Sequence, residues 1–247
     1  MSDTTDRLYL RDAHQRTVDA TVVAVDGDRV ALDRTVFYAT GGGQPHDTGS
    51  LTWGDGRARV VDVTGKGPLV WHHLAADEPD DELVVPPVGT PVHGELDWDR
   101  RHRLMRTHSA LHVLCGVIWN EWGVVVTGGN MEPLRARMDF AFDPLPEGFA
   151  ATVTERVNAE IAADRPIEIS FLPRSVALAD DALIRTKVNL VPDSVTEIRV
   201  VDIVGLDKQA DGGTHVASTG EIGRFEVTKT ESKGKGNKRL RIVIHDT

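Results

Sequence analysis

Apolar and polar positions follow two rhythms along this 247-residue chain, and the change falls near residue 95. Before it, short runs rich in β-branched residues at 21–25, 29–32, 59–63 and 69–72 are separated by Asp/Gly turns, the pattern of a small antiparallel barrel. No helical period interrupts them, and Pro86, Pro87, Gly89 and Pro91 mark a linker. From 98 to 122, Leu104, Leu111, Leu114, Cys115, Ile118 and Trp119 recur largely at three- and four-residue spacing, which predicts a long helix. Val153, Val157 and Ile161 predict a second helix over 147–163. A short helix is expected over 175–183, with strands at 124–126, 137–142, 167–172, 196–204, 224–230 and 239–244. Helices and antiparallel strands mixed in this order predict an α+β fold in two domains, 1–95 and 96–247.

At 40% hydrophobic, this length can bury two cores. No run approaches eighteen uninterrupted apolar residues, and the opening MSDTTDR is neither basic nor apolar. The sequence therefore predicts no signal peptide, no membrane span and a cytoplasmic location. A single cysteine, Cys115, excludes an intramolecular disulfide and fits a reducing compartment. The net charge of −10 at first opposes a nucleic-acid partner. Its make-up changes that reading, because 25 Asp stand against 13 Glu and only seven of 28 basic residues are Lys, a bias resembling proteins of salt-rich cytoplasm. Molar salt screens charge within about 3 Å, so acidity and RNA binding can coexist. The basic residues are also clustered. Arg101, His102, Arg103 and Arg106 precede the histidines of the long helix, and Lys229, Lys233, Lys235, Lys238, Arg239 and Arg241 gather near the C-terminus. The second cluster reads either as a solvated strand face or, with glycine-interleaved lysines between two strand-like segments, as a phosphate-contacting hairpin.

Candidate chemistry lies in RTHSALH at 106–112 and DGGTH at 211–215. His108 and His112 share one face of the predicted helix, with Cβ atoms roughly 5–6 Å apart, so both imidazoles can converge on one ion. Asp211 and His215 sit on a glycine-broken loop and complete four nitrogen and oxygen donors for tetrahedral zinc. Each residue also has a plainer reading, Asp211 as a turn residue and His215 as a hydrogen-bonded loop histidine. Aspartate is a harder ligand than thiolate, so zinc affinity should be lower or metal choice broader. Three histidines plus water form the alternative set. Cys115 lies seven residues from His108, about 10.5 Å along a helix axis, and reads as a small core residue. A zinc-peptidase helix would carry glutamate beside its first histidine, where this chain has Ser109. No serine, cysteine or histidine–carboxylate arrangement suggests a covalent mechanism.

Further motifs stand in order around these: FYATGGGQPHDTG at 37–49, TGGNM at 127–131 followed by RARMDF at 135–140, TGEIG at 219–223 and ESKGKGNKR at 231–239. Together they resemble the free-standing alanyl-tRNA editing proteins, AlaX, of the medium-length type, and the editing domain of alanyl-tRNA synthetase. The family motifs read FYPxGGGQxxDxG, HxxxH and CxxxH, and Asp211 stands where the family usually has cysteine. The resemblance spans nearly the whole chain. It implies a translation-factor-like barrel joined to an α+β editing domain, with zinc held by His108, His112, His215 and, as fourth candidate, Asp211. It also implies a loop in which Gly42, Gly43 and Gln44 close over the acylated end of the nucleic acid, and a Thr127 hydroxyl that recognises serine Oγ. The implied activity is hydrolysis in trans of Ser-tRNA(Ala), with Gly-tRNA(Ala) as a further candidate, at the ester to the terminal adenosine. Such editing is needed because a pocket sized for a methyl group cannot strongly reject an added hydroxyl or a missing methylene. The ion would bind the substrate's α-amino group or orient a hydrolytic water. A non-catalytic metal- and RNA-binding translation module, with Asp211 as a decayed ligand, is the competing class.

Overall fold

The computed structural model describes residues 4–78, 80–177, 179, 183, 196–234 and 236–246. The chain packs as two compact units, Met1–His102 and Arg103–Thr247.

The first unit is a closed six-stranded barrel. A two-residue strand β1 (Asp6–Arg7) pairs in parallel with β4 (Arg34–Thr35) beside it. The barrel is formed by β2 (Thr17–Asp26), β3 (Arg29–Leu32), β5 (Gly49–Trp53), β6 (Gly56–Lys66), β7 (Leu69–Ala75) and β8 (Pro91–Leu96), closing in the order β2-β3-β7-β6-β5-β8. Alternation is the cause: in β7 and β8 every second residue is buried, and Val18, Ala20, Val22, Leu32, Leu51, Val60 and Val70 belong to one core. Two of these strands escape the hydrophobic pattern. β8 begins at Pro91, within the expected linker, because proline is tolerated at a strand's first position and Gly94 breaks the apolar alternation. β5 begins on Gly49, the last residue of the glycine-rich motif.

The second unit mixes helices and antiparallel strands, giving the whole chain an α+β fold. Its central element is α1 (Trp98–Trp122), which begins in the first unit. A four-stranded sheet, in the order β14-β15-β10-β9, is built from β9 (Val126–Glu132), β10 (Arg135–Phe140), β14 (Arg224–Ser232) and β15 (Lys238–His245). A second sheet, β11-β12-β13, comprises β11 (Ile167–Pro173), β12 (Glu197–Ile203) and β13 (Asp207–Ala210). Helix α2 (Phe149–Ala162) buries Phe149, Val153, Val157 and Ile161, four residues apart, and packs on β14. Asn158 and Thr154 on α2 bond the backbone of Phe225 and Val227, where β14 bulges. The helix expected over 175–183 is α3 (Arg174–Ala177); residues 178 and 180–182 lie outside the described residues. The strand expected at 124–126 begins at Val126 and runs on through Gly128 and Gly129, where glycine masks the strand pattern.

Candidate metal centre

From Leu104 to Ile118 every residue of α1 is buried, polar residues included. A helix enclosed on all faces must find a partner for each polar side chain it carries. Arg106 donates to the carbonyls of Ile222 and His245, at 2.8 and 3.1 Å, and to Asp246 Oδ1 at 2.6 Å. Thr107 donates to the Arg103 carbonyl at 2.7 Å and accepts the Leu134 N–H at 2.8 Å. Ser109 Oγ lies 3.1 Å from His215 Nδ1 and accepts the Val216 N–H at 3.2 Å. His108 and His112 face a different kind of neighbourhood.

Both rings converge with His215 around the Asp211 carboxylate. His108 Nε2 is 3.6 Å and His112 Nε2 4.0 Å from Asp211 Oδ1, and His215 Nε2 is 3.1 Å from Oδ2. Ring centroids of the three histidines lie 4.4–5.2 Å apart. One ligand atom from each of the four residues falls within 4.8 Å of the others, so the group can hold a metal ion. A tetrahedron with bonds of about 2.0–2.2 Å has edges of about 3.3–3.6 Å, within the range over which these atoms are spread. The donor set fits zinc: three borderline nitrogens and one carboxylate oxygen in a largely buried site.

Electrostatics agree with a cation at this point. Burial pushes His108 down to about 4, against the pull of Asp211, and pushes His215 well below its ordinary value, so both rings are neutral and ligand-competent near pH 7. His112 is also pushed down by burial, but Asp207 and Asp211 outweigh this and raise it. Burial alone would raise Asp211, yet the facing histidines hold its carboxyl well below the usual carboxylate range. Asp211 serves the local turn as well, since its Oδ2 accepts the Gly213 N–H at 2.6 Å. Its turn reading and its ligand reading therefore coexist. Arg199, buried on β12, donates to the Asp211 carbonyl at 2.8 Å and lies 3.7 Å from Oδ2.

The other candidates have separate surroundings. Thr127 lies exposed on β9 and donates to Asn237 Oδ1 at 2.9 Å. In the first unit, the backbones of Gly41 and Gln44 bond each other at 3.1 and 2.9 Å, and Gly42 and Gly43 between them have φ of 57° and 88°. Two successive positive φ values make the two-residue hairpin turn that glycine alone enters without strain. Gln44 is buried. Cys115 is a buried core residue, with Sγ 3.4 Å from Met138 Sδ.

Several residues of the two basic clusters have partners within the protein. Arg101 is fully enclosed in the first unit, forming an ion pair with Asp47 and donating to the carbonyls of Ala13 and Val36. Arg106 is committed to the carbonyls and to Asp246 as described, so these arginines do not form a basic approach to the histidines. On the C-terminal hairpin Lys229 and Arg241 both pair with Glu231, at 2.8 and 3.3 Å, and Arg239 forks onto Asp139 at 2.7 Å. Lys235 lies outside the described residues. Sequence reasoning missed Asp207, Gln209, Ser109 and Arg199 around the donor set. Their only signal is three-dimensional.

Among the described residues no helix is long and apolar enough to cross a membrane. Residues 198–241 match the family described as threonyl and alanyl tRNA synthetase second additional domain, and residues 6–100 match tRNA synthetases class II (A). The chain is 36% identical over 242 residues to the alanyl-tRNA editing protein AlaX-M of Saccharolobus solfataricus, covering 97% of this chain and 99% of that protein. It is 34% identical to AlaX-M of Methanosarcina barkeri, covering 98% and 100%. An alanine–tRNA ligase of Pyrobaculum aerophilum is 38% identical over 240 residues, which is 94% of this chain and 26% of that enzyme.

Proposed function

Since the chain belongs to the family of alanyl-tRNA editing proteins, we propose that it is a zinc-dependent deacylase that removes serine, and secondarily glycine, from mischarged tRNA(Ala). The observation that carries this reading is the convergence of His108, His112, His215 and Asp211 on one point. Zinc bound there supplies a Lewis acid for the substrate's α-amino group or for the hydrolytic water.

The chain's own residues divide the remaining work. His108 and His215 are held neutral by burial, and Asp211 ionised, so these three donors are ready without prior loss of a proton. Thr127 spends its one O–H on Asn237, which leaves its oxygen lone pairs to accept a hydrogen bond from serine's hydroxyl. The Gly42–Gly43 turn presents backbone without side chains, suited to close approach of the acylated ribose, and Gln44 closes that turn through its backbone pair with Gly41. Lysines of the C-terminal hairpin contact phosphates in this reading, those beyond the Glu231 pairings contributing most.

The test is deacylation of Ser-, Gly- and Ala-tRNA(Ala) by the purified protein at high salt, with and without a chelator. Ser-tRNA(Ala) should be cleared much faster than Ala-tRNA(Ala), with chelation abolishing the reaction. Thr127→Val keeps the side-chain shape and removes the hydroxyl, so it should reduce the serine-to-alanine rate ratio by about tenfold, roughly 1.4 kcal/mol, while zinc content stays unchanged. Equal hydrolysis of both esters by the wild type, or activity indifferent to chelation, defeats the reading.

A further inference from the structure

Asp207 is buried at the start of β13 and belongs to none of the four donors. Its Oδ2 lies 3.4 Å from Nδ1 of His112, and that nitrogen has no hydrogen bond of ordinary geometry. Gln209, two residues on, donates from Nε2 to the same Oδ2 at 2.6 Å, which fixes the carboxylate. The approach is built into α1 itself. Gly116, one helical turn after His112, leaves the space that the 206–207 segment occupies: a Cβ there would lie 2.9 Å from Asp207 Cβ and 3.0 Å from Leu206 Cγ. One turn further, Asn120 Nδ2 donates to the Leu206 carbonyl at 3.1 Å.

We propose that Asp207 is a positioning residue for the metal centre, accepting the Nδ1–H of His112 so that Nε2 of that ring is turned, as a strengthened donor, toward the ion. A neutral imidazole has one N–H, so a ring that ligates through Nε2 carries its hydrogen on Nδ1 and needs an acceptor there. A carboxylate in that place fixes the tautomer and raises the basicity of the ligating nitrogen. His215 has a different arrangement, its Nδ1 meeting the neutral Ser109 Oγ at 3.1 Å. The two rings are thus oriented by partners of unequal strength, and His112 is the donor that Asp207 reinforces.

The inference rests on the metal reading of the site, and its test separates the two. Zinc affinity is measured by chelator competition on the full chain, alongside the visible spectrum of the cobalt-substituted protein and the unfolding midpoint of the metal-free protein. Asp207→Ala should weaken zinc by about 10–100-fold and shift the cobalt spectrum, with Ser109→Ala weakening it less. Asp207→Asn, which preserves the shape and suits a chain that tolerates no truncation, should lose affinity in the same direction and by less. If wild type and a folded Asp207→Asn protein bind zinc equally and share one cobalt spectrum, the role of Asp207 is overturned while the site stands. A wild-type protein that binds no metal removes the site itself and this role with it.

Discussion

The Arg101–Asp47 pair and the His108–His112–Asp211–His215 group are both buried polar assemblies, and they differ in how fully they are satisfied. Arg101 donates to Asp47 and to the carbonyls of Ala13 and Val36, and Asp47 also accepts the Tyr38 N–H at 2.6 Å. Donors and acceptors balance, so the pair is complete as it stands. In the histidine group three imidazole nitrogens face one carboxylate, Arg199 stands 3.7 Å from that carboxylate, and His112 Nδ1 is buried without a hydrogen bond of ordinary geometry. The contrast separates architecture from a candidate binding site: burial is common to both, and a ring nitrogen left without an ordinary partner belongs to one.

The largest consequence falls on the complete pair. Arg101→Met leaves the Asp47 carboxylate buried without its cation, which should destabilise the first unit by about 3–5 kcal/mol. Denaturant unfolding followed by fluorescence measures this, and adding Asp47→Asn should recover part of the loss. A cost below about 1 kcal/mol for Arg101→Met would erase the distinction.

A second comparison of similar size involves His72, fully buried in the barrel. Burial holds both His72 and His108 down to about 4. A low value therefore does not by itself mark a site. The partners decide: His72 Nε2 meets Thr35 Oγ1 at 2.8 Å and its Nδ1 meets the Val30 carbonyl at 3.3 Å, so its hydrogen-bonding capacity is used within the barrel. Because folding lowers the His72 value from 6.5 to about 4, the unfolded chain binds the proton more readily between those pH values. Stability from this residue is fully present above pH 6.5 and is lost as the pH falls toward 4, by on the order of 3 kcal/mol. His72→Gln keeps a donor and an acceptor and should flatten that part of the pH profile. Saturating zinc should protect against acid through His108 but leave the His72 contribution in place. An unchanged acid slope in His72→Gln would show that its burial is not what acid attacks.

What the sequence reveals about the site divides along the same line. The four donors are readable because each pair is local, His108 and His112 on one helix and Asp211 with His215 in one short loop. The residues that orient them are not, since Asp207 and Gln209 lie in the periodless DKQA segment and gain meaning only when that segment docks against Gly116. Arg101 and Arg106 mislead for the converse reason. Charge near a histidine pair suggests a basic approach for RNA, whereas an enclosed helix consumes those charges in ion pairs and carbonyl contacts. In the fold, barrel strands with regular alternation are visible, and β5 and β8 are hidden by the glycine and proline that let them start where they do.

The smallest effect, and the sharpest test of the comparison, concerns the two jobs of Asp211. Its Oδ2 accepts the Gly213 N–H at 2.6 Å, a turn role, and its Oδ1 faces His108 and His112, a ligand role. Asparagine can keep the turn but is a weaker, uncharged ligand; cysteine supplies a soft thiolate but a poorer turn acceptor; alanine does neither. If the carboxylate ligates, zinc affinity should rank Asp211→Cys above wild type, then Asp211→Asn, with Asp211→Ala weakest and steps of about tenfold, or roughly 1.4 kcal/mol. Metal-free stability should follow another order, with wild type first and Asp211→Asn next, above the other two by about 1 kcal/mol, because the Gly213 N–H bond and the contacts with His215 and Arg199 are then at stake. Should zinc affinity instead follow the stability order, Asp211 acts only on its turn, and the ion is held by the three histidines.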